Sequence, residues 1–104
     1  MAGWSGSENG ATLGQRGSEQ GVVVADEEHG DGARITLERD GVASPWAITC
    51  GVYGLLVHTR FFMNEAEARA AFDAMKEPLH KLAAWDQLDQ GLGQAIEDFV
   101  REFP

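Results

Sequence analysis

Residues 46–75 read WAITCGVYGLLVHTRFFMNEAEARAAFDAM, and this stretch decides the fold. Trp46, Ile48, Cys50 and Val52 alternate with the small residues Ala47, Thr49 and Gly51, the period of a strand packed closely on one side. Tyr53-Gly54 makes a tight reversal, and Leu55 to Phe62 returns as a second strand. Leu55, Val57, Thr59 and Phe61 lie on one side of it; Leu56, His58, Arg60 and Phe62 lie on the other. Both sides carry large apolar groups. That predicts a central strand, or a strand with a helix on one face and a partner on the other.

Asn64 then suits a helix N-cap, with Glu67 three residues on completing a pair that resembles a capping box. Ala68, Phe72, Met75, Leu79 and Leu82 recur every three or four residues and predict a helix lying on the sheet. Pro78 interrupts the stripe. A proline inside a helix forfeits a backbone hydrogen bond at a cost of about 3 kcal/mol, so the sequence predicts a kink, or one helix ending near Lys76 and another beginning at Pro78. Gly91 and Gly93 mark a break, and Leu92, Ile96, Phe99, Val100 and Phe103 form the stripe of a last helix ending at about Glu102.

Working back from the hairpin, Ser44-Pro45 forces an extended approach. Before it, Ala33 to Asp40 alternates: Ile35 and Leu37 on one face, Arg34, Thr36 and Glu38 on the other. Gly21 to Asp26 is a β-branched run suited to a first strand, joined to the next by a hairpin tip at Asp26–Gly32. Residues 1–19 are rich in Gly and Ser, with only Trp4 and Leu13 as large apolar groups, and read as a flexible tail. Residues 20–104 form a single domain, with strands over about 20–62 and helices over about 65–102. The expected fold class is α+β: a four-stranded antiparallel β-meander with C-terminal helices packed on one face, a two-layer sandwich.

Totals narrow the function. The chain has 104 residues, 43% of them hydrophobic, and carries 17 acids against 8 bases, a formal net charge of −9. The acidity runs through the whole chain. Phosphate contacts supply much of the affinity for nucleic acid, and they need clustered Lys and Arg, so direct nucleic-acid binding is not expected. An anionic membrane surface is disfavoured by the same charge. There is no basic segment followed by an apolar one at the N-terminus, and the longest apolar run, Gly51–Val57, is far short of a membrane span. A cytoplasmic location is the expectation. The lone Cys50 excludes an internal disulfide and a cysteine-rich zinc site.

No phosphate-binding, dinucleotide-binding, zinc-protease or serine-hydrolase motif occurs, so no cofactor is implied. Asp26, Glu27, Glu28, His29 and Asp31 cluster without the spacing of a calcium loop, and His29, His58 and His80 are dispersed along the chain. The sequence therefore gives no metal motif. Two groupings merit attention. Cys50 and His58 are equidistant from Gly54 and would face each other across the hairpin, within reach of a thiol–base pair. Arg60, a cation amid negative charge, would hold an anionic ligand or a partner's carboxylate. Cys50, His58 and Arg60 are thus the candidate ligand site. Tyr53, Leu56 and Phe62, with Phe99 and Phe103 of the last helix, are the candidate partner surface. The preferred reading is a protein-interaction or regulatory module that binds another protein or itself as a homodimer. The alternative is a small-molecule-binding or enzymatic domain built on Cys50, His58 and Arg60.

Overall fold

A computed structural model of the chain describes residues 3–104. Five antiparallel strands lie in chain order in one sheet: β1 (Trp4–Gly6), β2 (Val22–His29), β3 (Ala33–Arg39), β4 (Trp46–Val52) and β5 (Leu56–Phe62). Two helices follow, α1 (Glu65–Ala83) and α2 (Leu92–Glu102). The α+β two-layer architecture is as the sequence predicts, with five strands in place of four. The fifth comes from the segment whose composition reads as a tail: Trp4–Gly6 pairs with Glu27–His29 at the sheet margin. Met1 and Ala2 of that tail lie outside the described residues.

Period-two alternation divides the sheet into two faces. On the inner face Ala33, Ile35, Leu37, Ile48, Cys50 and Val52 are buried against Ala68, Phe72, Met75, Leu79 and Leu82 of α1. Each fully buried Ile or Leu contributes about 1.5–3 kcal/mol, so this inner layer is the main stabilising unit. α2 packs beside α1 and buries Leu92, Phe99 and, just past its end, Phe103.

α1 begins as the sequence predicts, the Asn64 side chain accepting the Glu67 N–H at 2.8 Å. It then runs through Pro78 as one helix of 19 residues, so of the two expectations there, a kink or a split, the split does not occur. The stripe explains this. Met75 and Leu79 flank the proline and are both fully buried, so tertiary packing offsets the missing hydrogen bond.

Of the two expectations for the strand after the turn, the central position is overturned, because it lies at the sheet edge. β5 pairs with β4 and with no other described strand. The turn before it is closed by the Leu55 N–H donating to Val52 O at 2.9 Å, with Gly54 at φ +74°, a conformation that suits glycine.

Candidate functional site

On the outer face, opposite the helices, the register lays side chains in three transverse rows. Glu28, Arg34, Gly51 and Val57 form the first; Asp26, Thr36, Thr49 and Thr59 the second; Val23, Glu38, Ala47 and Phe61 the third. Each row carries at least one charged residue on β2 or β3, the β4 positions are small, and the β5 ends are mostly apolar.

Two buried carboxylates organise the charged side. Asp26 accepts two bonds from Arg34, at 3.0 and 2.6 Å, and one from the Thr36 hydroxyl at 3.0 Å. Burial by itself would raise the Asp26 pKa, but the Arg34 and Thr36 hydrogen bonds and the Arg34 charge outweigh it and hold the carboxyl below its usual range. Glu38, only 1% exposed, has no cationic partner among the described residues. It accepts instead from the backbone N–H of Gly21 at 3.0 Å and of Glu19 at 3.2 Å. Gly17 is required beside it, because a Cβ there would lie 2.2 Å from the Glu38 carboxyl carbon.

Through Glu38 the segment 14–21 is tied onto the outer face, with further bonds from Gly14 N–H to Val23 O and from Val23 N–H to Gln15 O, at 2.8 and 2.9 Å. This polar anchoring is why a segment poor in apolar residues packs on the sheet. The cover extends to β4, where the Ser18 hydroxyl lies 3.3 Å from that of Thr49.

Beyond that point β5 is bare. Val57 is 81% exposed and Phe61 51%, while Tyr53 at the adjoining turn is 91% exposed. Two open cavities flank the bare strip. One, of about 450 Å³, lies against the N-terminal segment and includes Asp26, Arg34 and Glu38 in its walls. Those charged groups are already bonded within the chain. The other, of about 590 Å³, lies between Tyr53, Leu55, Val57 and the Arg34 end of β3. Gly51, having no side chain, forms part of the floor of both.

Of the candidate ligand residues singled out in the sequence, only Cys50 touches either cavity. Cys50 and His58 are cross-strand partners, as their spacing predicts, but both belong to the inner face. Burial pushes the Cys50 thiol up to about 12, with the nearby Arg60 charge only partly opposing it, so no thiolate is available near neutrality. His58 Nε2 donates to the Phe103 carbonyl. Arg60 donates from Nε to Pro104 O at 3.1 Å, and its guanidinium stacks 4.9 Å from the Phe62 ring centre and 5.4 Å from that of Phe103. These two residues hold the chain beyond α2 against β5, and neither lines the two cavities.

The expected partner surface also shifts. Phe99 and Phe103 are buried within the chain, and Leu56 and Phe62 are half-buried against the inner core. Of that set only Tyr53 stands free. Within β5 the exposed large apolar residues are Val57 and Phe61, their neighbours in the alternation. The sequence pattern identifies the two faces of β5 but carries no signal for which one the helices cover. The fold also brings His29, Asp31 and His80 together across 49 positions, a contact no local spacing reveals. No family model, curated protein or solved structure matches the chain.

Proposed function

We propose that the protein is an interaction module that captures an extended segment of another polypeptide along β5. The observation that carries this reading is the contrast between the two sheet edges. β1 is three residues long, a short edge of the kind that resists pairing. β5 has seven residues, no Lys, no Pro and no register shift, with bare Val57 and Phe61 on its outer side. Its one cation, Arg60, is engaged with Pro104 on the helix side and does not guard the rim.

An added strand would take its main-chain hydrogen bonds from the β5 edge and its specificity from alternate side chains. An apolar side chain of that segment would seat beside Val57 over Gly51, in the cavity bordered by Tyr53. The net charge of −9 favours a segment with Lys or Arg flanking its apolar positions, mainly through faster encounter. A second copy of this chain offers the same edge but repels it by charge, so a different polypeptide is the favoured occupant.

A displayed library of extended peptides, panned against the full chain, tests the reading. Enrichment of alternating apolar sequences with basic flanks, abolished by Val57→Lys with Phe61→Lys, is the expected result. Peptides that bind the double variant as well as the parent, or no enrichment over it, would overturn it.

A further inference from the structure

The geometry points to a site for a borderline divalent cation of the zinc class, held by His29, Asp31 and His80 at the β2–β3 tip, on the helix side of the sheet. His29 closes β2, Asp31 lies in the turn that follows, and His80 projects from the last turns of α1. One ligand atom from each falls within 4.8 Å of the others. His80 Nε2 lies 2.9 Å from Asp31 Oδ2, and His29 Nδ1 lies 3.6 Å from the same oxygen. On a tetrahedral zinc with bonds of about 2.0–2.2 Å, two ligand atoms are separated by roughly 3.3–3.5 Å. Those two separations bracket that value, and because the two imidazoles are stacked, one ring must turn about its side-chain torsions for both lone pairs to face one ion.

Other contacts support a built arrangement rather than three surface residues that happen to meet. The imidazoles of His29 and His80 are stacked with centres 3.8 Å apart and planes inclined by 28°. Trp4 meets the His29 ring edge-on at 5.6 Å. Gly3 packs on the other side of that ring, where a Cβ would lie 2.1 Å from Nε2. The His29 ring is therefore wedged between β1 and α1 with Nδ1 turned toward Asp31. At present Nδ1 accepts the Asp31 backbone N–H at 3.1 Å, a bond the cation would replace.

Two imidazoles and one carboxylate suit Zn²⁺, Co²⁺ or Ni²⁺ and not the all-oxygen preference of Mg²⁺ or Ca²⁺. Three protein ligands leave a coordination position for water. The ion would join the β2–β3 hairpin to α1 on the inner face, with β3 and β4 between β2 and β5, so this inference does not rest on the proposed interaction surface.

The test uses the untagged full chain stripped with chelator, titrated with Zn²⁺ by calorimetry and with Co²⁺ by visible absorption. One ion per chain is expected, with binding unchanged by excess Mg²⁺. His80→Gln and Asp31→Asn should each weaken it at least about 100-fold, since even changes around a ligand set cost 10–100-fold. His58→Gln should bind as the parent does. Asp31 lies in an exposed turn, so its variant remains informative if circular dichroism shows His80→Gln to be unfolded. Absence of saturable binding, retention of full affinity in Asp31→Asn, or displacement by Mg²⁺ would each overturn the proposal.

Discussion

Cys50 and His58 illustrate how far single residues can be read. Their pairing follows from equal spacing about Gly54, and the register confirms it. What the pair does depends on burial, which the spacing does not encode. With its thiol pushed up to about 12, Cys50 is expected to stay unmodified by a thiol-exchange reagent at pH 8 in the folded protein and to react fully in denaturant. Rapid modification without unfolding would contradict the burial assigned to it. Asp26 supplies a second outcome. Its folded pKa lies below the ordinary aspartate value, so its contribution is present above that value and is lost as pH falls through the lower folded one. The acid limb of a stability–pH curve below about pH 4 should flatten in Asp26→Asn. An unchanged limb would mean that the Arg34 bond is not retained in solution.

Among elements, the N-terminal segment departs most from its composition. Hydrophobic content alone makes it a tail, because composition weighs apolar burial and not a buried carboxylate acting as a hydrogen-bond acceptor. Ile35, Leu37 and Glu38 show both sides of this. The first two are legible as the core face of β3, whereas Glu38 reads as a solvated position and is buried under Glu19 and Gly21. Glu38→Ala should therefore destabilise the protein by about 1–3 kcal/mol, the cost of leaving buried donors unpaired. Urea unfolding measures that loss. Limited proteolysis should show cleavage within 14–21 appearing first in the variant, and equal resistance in both proteins would count against the anchor. α1 makes the converse point. Its start at Asn64 is legible, but its continuity through Pro78 depends on the buried Met75 and Leu79, which local propensity does not weigh.

For the whole molecule, the layer order and the meander follow from alternation and turn residues, and the sequence carries both. Which strand closes the sheet does not follow, because the outer side of β5 is as apolar as a central strand's. The structure leaves that side bare once the N-terminal segment stops at Thr49. An apolar strip beside an unpaired edge is the feature on which the interaction reading rests. Amide chemical-shift mapping with a segment selected by panning tests it most directly. The account predicts perturbations running along residues 53–62 and slowed hydrogen exchange at edge amides of β5. Perturbations centred on α2, or on Asp26 and Glu38 with β5 unchanged, would contradict it.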